Sequence, residues 1–212
     1  MINLYNEDCL QAMRRMDTDQ YDLAIVDPPY GLKRSQDKKR DGKKNIRFKK
    51  FGGWIKGTFW DEKPSKEYFT ELLRVSKNQI IWGANNFTLP PTEYFCIWNK
   101  KQTVSNFASA EYAWVSMGLK KPAKIFDYSI HKHNHTNKIH PTQKPVALYK
   151  WILNNYAKEG DKILDTHLGS GSIAIACHDM GYSLDGYELD TEYYEAACKR
   201  LKEHQRQLQL PI

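Results

Sequence analysis

The stretch Leu23-Ala24-Ile25-Val26-Asp27-Pro28-Pro29-Tyr30 joins four apolar residues to an aspartate and two prolines. A short apolar run reads as a buried strand, and prolines, which cannot extend the hydrogen-bond ladder, end it abruptly. Asp27 and Tyr30 are therefore expected at the carboxyl edge of a sheet, where ligands sit in open α/β folds.

Outward from this point, short apolar or alternating runs predict strands at residues 2–5, 79–82, 94–98, 112–116, 162–164 and 182–187. Helical spacing fills the gaps. Cys9, Ala12, Met13 and Met16 mark a first helix, and Ser65 caps a second whose inner face carries Phe69, Leu72 and Leu73. Pro145 is read as the first residue of a third, striped by Tyr149, Ile152, Leu153 and Tyr156. Ile173, Ala176, Cys177 and Met180 line a fourth, stopped by Gly181, and Tyr194, Ala197, Cys198 and Leu201 line the last. Strands alternating with helices predict an α/β fold with a doubly wound, mostly parallel sheet. Residues 99–110 and 117–139 give no regular pattern.

The chain has 212 residues, 41% of them hydrophobic, which suits one core and hence one domain over 1–212. No apolar run is long enough for a membrane span and no leader pattern opens the chain, so a soluble, cytoplasmic protein is expected. Cys9, Cys96, Cys177 and Cys198 form no CxxC pair and read as reduced thiols. Net charge is +7, and one stretch accounts for it: Lys33, Arg34, Lys38, Lys39, Arg40, Lys43, Lys44, Arg47, Lys49 and Lys50 stand against Asp37 and Asp41, +8, while the other 22 bases and 23 acids sum to −1. Such a concentration, directly after the Asp-Pro-Pro-Tyr turn, is an electrostatic footprint for a polyanion, and residues 31–60 are read as a basic loop that contacts DNA phosphates. Residues 205–212 are polar and read as a frayed tail.

A second informative stretch is Asp165-Thr166-His167-Leu168-Gly169-Ser170-Gly171-Ser172, between a strand and a helix. Glycines there let backbone approach a ligand. The next strand ends about twenty residues on at Glu188, which can accept hydrogen bonds from both ribose hydroxyls of a nucleoside. A third glycine is missing, as is the Gly-Lys-Ser/Thr of a phosphate-gripping loop, so a nucleoside cofactor without phosphates suits the pattern better than a dinucleotide or nucleotide. Asp190 is the rival acid, read instead as a helix cap.

Together these stretches resemble the S-adenosylmethionine-dependent amino-methyltransferases of DNA, in the arrangement called the β class, where the catalytic motif precedes the cofactor motif. Asp27-Pro28-Pro29-Tyr30 matches the family's catalytic motif, His140-Pro141-Thr142-Gln143-Lys144-Pro145 looks like its helix-opening motif, and Asp165 to Gly171 resembles its Asp-Pro-Phe-x-Gly-Ser-Gly turn, with Thr166 and His167 replacing Pro and Phe. The resemblance implies a seven-stranded Rossmann-like sheet, S-adenosylmethionine as cofactor, double-stranded DNA as partner, and dimerisation, which is common among relatives. It implies that Asp27 and the Pro28 carbonyl accept the N–H groups of an adenine amine, with Pro29 completing the turn and Tyr30 stacking on the extruded base. It assigns the cofactor to Asp8, Cys9, Thr142, Gln143, Lys144, Pro145, Asp165, Thr166, His167, Gly169, Ser170, Gly171, Glu188 and Leu189.

Adenine N6 is expected over cytosine N4 because relatives that modify cytosine's amine more often carry Ser where Asp27 stands. The alternatives are that cytosine chemistry, an RNA adenine-N6 methyltransferase, or a non-catalytic nucleic-acid-binding module of the same fold. No Pro-Cys pair is present, which argues against cytosine C5 chemistry. His131, His133 and His135 read as contacts to solvent or phosphate rather than metal ligands. Trp54 and Trp60 are candidates to stack on bases.

Overall fold

The computed structural model describes residues 1–31, 62–134, 138–140 and 142–207. Strand β1 (Ile2–Tyr5) leads through α1 (Cys9–Met13) to β2 (Tyr21–Val26), and α2 (Lys66–Val75) runs directly into β3 (Ser76–Trp82). A hairpin of β4 (Phe95–Asn99) and β5 (Ala110–Val115) is followed by β6 (Lys124–Asp127) and α3 (Ile130–Asn134). Then come α4 (Val146–Tyr156), β7 (Lys162–Asp165), α5 (Ser172–Met180), β8 (Ser183–Tyr187) and α6 (Thr191–Gln207).

The strands form one sheet in the order β1-β8-β7-β2-β3-β5-β4-β6. From β1 across to β3, and again between β4 and β6, neighbours are parallel; β5 is antiparallel to both β3 and β4. Among the described residues the sheet thus has eight strands rather than the expected seven. The addition is the edge strand β6, which shows no apolar run because Lys124, Ile125, Phe126 and Asp127 lie on a half-covered edge with Ile125 62% exposed.

Both faces of the sheet are covered, as the alternation along β2 records. Leu23 and Ile25 point into the cluster formed with α4, α5 and α6, whereas Ala24 and Val26 point into the one formed with α1 and α2. Leu23, Ala24 and Ile25 are fully buried, and burying a Leu or Ile side chain stabilises by about 1.5–3 kcal/mol. From β2 the chain crosses by α2 to β3 on one side; from β7 it crosses by α5 to β8 on the other. The gap between the carboxyl ends of β2 and β7 is therefore the point where strand order reverses, the preferred ligand position in such sheets.

Local chemistry sets the ends of the elements. Ser65 caps α2 by accepting the Tyr68 N–H (3.2 Å), and Asp190 caps α6 by accepting those of Glu192 and Tyr193 (2.9 and 3.1 Å). Helix α1 stops short of Met16, and the Arg74 guanidinium takes the carbonyls of Met13 (2.7 Å) and Met16 (2.8 Å) at that end. Pro145 is the N-cap of α4 with extended backbone, one residue outside the helix it was expected to open. Helix α6 reaches Gln207, so residues 205–207 of the expected frayed tail are helical, and the rest of it lies outside the described residues.

Candidate active site

Asp27 follows β2 directly. Its Oδ1 accepts the Tyr30 hydroxyl (2.7 Å), and its Oδ2 is held by the Lys144 ammonium. Tyr30 reaches that position because it lies over Gly83: a Cβ on Gly83 would fall 2.0 Å from the Tyr30 ring, and Gly83 also has φ +67°, which side-chain-bearing residues rarely adopt. Phe87 meets Tyr30 edge-on at 6.1 Å. Desolvation pushes the Tyr30 hydroxyl pKa up, so it stays a donor.

At the end of β7, Asp165 accepts the backbone N–H of His167 (3.0 Å). Burial pushes its carboxyl up to about 8, with Asp27 and Glu188 adding to the rise. Thr166 and His167 replace the family's Pro and Phe with a hydrogen-bonded chain: the Thr166 hydroxyl contacts the Tyr68 hydroxyl (2.6 Å) and His167 Nδ1 (3.0 Å). Burial lowers His167 to about 4, which leaves its imidazole neutral. The turn closes with Gly171 at φ +69°, where a Cβ would come within 3.1 Å of Ala197 on α6. Arg200 braces it by donating to the Ser170 carbonyl (2.8 Å) and the Ser172 hydroxyl (2.9 Å).

Glu188 leaves the end of β8 and meets this turn, accepting the Gly169 N–H on Oε2 (2.8 Å) and the Asp190 N–H on Oε1 (3.0 Å). Burial raises its pKa. A carboxylate has about four lone-pair sites, so each oxygen keeps capacity for a further donor. In the loop before α4, Gln143 accepts the Ile139 N–H through Oε1 (3.1 Å), and its carbonyl contacts His133 Nε2 (2.6 Å). Its Nε2 is buried with no hydrogen-bond partner. His133 is buried rather than solvent-facing. His140, lowered to about 4 by burial and then by Lys144, contacts the Thr142 hydroxyl through Nδ1 (3.0 Å).

One cavity of about 450 Å³ joins these groups. Asp27, Pro28, Pro29 and Tyr30 line it together with Thr142, Gln143, Lys144, His167, Gly169, Ser170 and Glu188. Asp8, Cys9, Pro145, Asp165, Thr166, Gly171 and Leu189 stand outside its lining. Asp8 caps α1 through the Gln11 N–H (2.9 Å), the Cys9 thiol is pushed up to about 12 by burial, and Leu189 is 69% exposed. Lining residues not expected from the sequence include Trp98, Lys100, Phe107, Glu111, Tyr149 and Tyr193. They come from the β4–β5 hairpin and from helix faces, so no contiguous motif announces them. The basic stretch from Lys33 to Lys50, Trp54, Trp60, His135 and Pro141 lie outside the described residues. Among the described residues, no helix is long and apolar enough to cross a membrane.

A doubly wound sheet with a nucleoside-sized cavity at its switch point, an Asp-Pro-Pro-Tyr turn on one wall and a glycine turn with a ribose-compatible glutamate on the other, defines a methyltransferase-like site. The chain belongs to the DNA methylase family N6_N4_Mtase, whose sequence model matches residues 74–199. It is 25% identical over 227 residues to the type II methyltransferase M.HpaI of Haemophilus parainfluenzae, covering 91% of this chain and 71% of that one. Against the type II methyltransferase M2.DpnII of Streptococcus pneumoniae it is 25% identical over 242 residues, covering 94% and 89%. Its fold is similar to M1.HpyAVI solved with SAM (TM-score 0.58, 19% identity, 95% of this chain and 100% of that one). It is also similar to PvuII DNA methyltransferase, cytosine-N4-specific (TM-score 0.59, 10% identity, 98% and 92%).

Proposed function

We propose that this chain is a cytoplasmic enzyme that methylates the N6 amine of adenine in double-stranded DNA, with S-adenosylmethionine as donor. The observation that carries the reading is the shared cavity: Asp27 to Tyr30 form one wall, Gly169 and Glu188 the other. Its residues suit the cofactor. Glu188 offers a carboxylate to ribose hydroxyls, and the orphaned Gln143 amide is a buried donor suited to a carboxylate such as that of the methionine end. When bound, S-adenosylmethionine supplies a methyl group already activated on a sulfonium.

The protein's own task is then to prepare the amine, whose lone pair is delocalised into the ring. Asp27 accepts one N–H and the Pro28 carbonyl the other, drawing the nitrogen towards a tetrahedral shape. Tyr30 stacks on the extruded base. Holding reactants in line is worth up to about 7–11 kcal/mol in well-oriented cases. The basic stretch grips phosphates, so affinity falls with salt at a log–log slope of about −0.9 per contact. A homodimer, also implied by the resemblance, is read by light scattering.

Labelled S-adenosylmethionine incubated with duplex DNA or structured RNA, followed by digestion to nucleosides, tests the proposal. N6-methyladenine in DNA is the expected product. Label confined to cytosine N4, or to RNA, overturns it.

A further inference from the structure

Among the described residues, Lys144 is the most deeply buried cation in the cavity wall, its side chain 4% exposed. Taking an ammonium out of water costs several kcal/mol unless it is well paired. Its pairing is unusual for a residue expected to hold a cofactor: the ammonium binds Asp27 Oδ2 and lies 3.1 Å from Glu111 Oε2, above the Trp82 ring at 5.5 Å. Glu111 in turn pairs with Lys100 at 2.5 Å. Burial pushes the Glu111 carboxyl up, but Lys144 and Lys100 together hold it down at about 2. Burial pushes Lys144 down, but Asp27 and Glu111 hold it well above the usual lysine range. The result is an alternating row, Lys100–Glu111–Lys144–Asp27, that ties the β4–β5 hairpin to the end of β2.

We propose that Lys144 is a positioning residue for Asp27, with Glu111 and Lys100 fixing it in place, rather than a ligand of the cofactor. The inference rests on the methyltransferase reading of this cavity. With the ammonium on Oδ2 and the Tyr30 hydroxyl on Oδ1, both oxygens of the Asp27 carboxylate are held where it lines the cavity. Lys144 also supplies the counter-charge that lets Asp27 remain an acceptor once an aromatic base has displaced water. Among the described residues, the other ionisable groups around Asp27 are Tyr30, Glu111, Asp165 at the end of β7, Tyr149 on α4 and Tyr68 on α2. Lys144 is, among the described residues, the cation in direct contact with Asp27.

The test combines Lys144→Met and Glu111→Gln with two readouts, cofactor Kd by calorimetry and the single-turnover rate at saturating cofactor, each repeated in the Asp27→Asn background. Lys144→Met should leave Kd within threefold and slow transfer 10²- to 10³-fold, and should cost little more once Asp27 is already Asn. Glu111→Gln, which loosens Lys144 but keeps the shape, should slow transfer by a smaller factor with Kd likewise unchanged. A loss that vanishes without the Asp27 carboxylate is not expected of a merely structural defect, and Glu111→Gln decides the matter if Lys144→Met does not fold. A tenfold or larger rise in Kd with the saturated rate preserved makes Lys144 a cofactor ligand and overturns the proposal. So does a loss of the same size in the Asp27→Asn background. Should the wild type transfer no methyl group to a DNA amine, the functional reading fails separately, because cofactor Kd still judges whether Lys144 is a cofactor ligand.

Discussion

Asp27 and Asp165 end hydrogen-bonded parallel neighbours, β2 and β7, on either side of the switch point, and the fold treats them in opposite ways. Asp27 faces the cavity and receives a hydroxyl and an ammonium. Asp165 is turned into the protein, receives one backbone N–H, and with its carboxyl pushed up to about 8 by burial it holds its proton at neutral pH. Residue type and position at a strand's carboxyl end are the same. The difference is burial: Asp165 is closed off from the cavity, whereas Asp27 opens onto it with the Lys144 ammonium against one of its oxygens.

The largest effect is expected from removing the acceptor itself. Asp27→Asn keeps the shape and removes the charge, and single-turnover methyl transfer should fall about 10³-fold, within the range typical of a positioned acid or base, while calorimetry finds cofactor affinity unchanged. A loss below tenfold would place the chemistry elsewhere in the cavity. Next comes the opposite wall, where Glu188→Gln replaces charge-assisted acceptance at the ribose. Hydrogen bonds to charged groups are worth about 1.5–3 kcal/mol, so Kd should rise roughly 10- to 100-fold with the saturated rate retained. If the rate drops and Kd does not, the two walls have exchanged roles.

A smaller loss is expected at Gly83. Alanine there meets the Tyr30 ring at 2.0 Å and must adopt φ +67°. The backbone cost alone is about 1–2 kcal/mol, or a few degrees in Tm for a chain this size, and Tyr30 must leave Asp27. Thermal melts and the Tyr30 ring resonances report both. An unchanged melt with Tyr30 in place would mean that the slot is wider than its geometry indicates.

Legibility from the sequence followed contiguity. Leu23 to Tyr30 could be read because strand, stop and functional side chains fall within eight residues, and the glycine turn with Glu188 because a strand–helix–strand unit fixes their spacing. Edge strand β6 could not, since Lys124 to Asp127 buries too little to need an apolar run. The Lys144–Asp27 pair spans 117 positions, and Glu111 arrives from a hairpin, so their meeting is a property of sheet order. The resemblance could place Lys144 beside the cavity, but motif spacing carries no information about which of its groups the ammonium meets.

The last and most selective effect concerns Asp165. Folded, its carboxyl holds a proton up to about pH 8; unfolded, it releases it near the usual 3.8. Between those values the native state binds more protons than the unfolded chain, so this residue's contribution to stability is complete at low pH and is lost as pH rises towards 8. Asp165→Asn can still accept the His167 N–H but has no proton to exchange. Its stability relative to wild type should therefore climb with pH between about 4 and 8, by at most about 1.4 kcal/mol per pH unit, and level off above. Urea titrations of both proteins at several pH values read the difference directly. A gap that stays constant across that window would mean that Asp165 is ionised like an ordinary carboxylate, and the contrast between the two strand ends would then have to come from orientation alone.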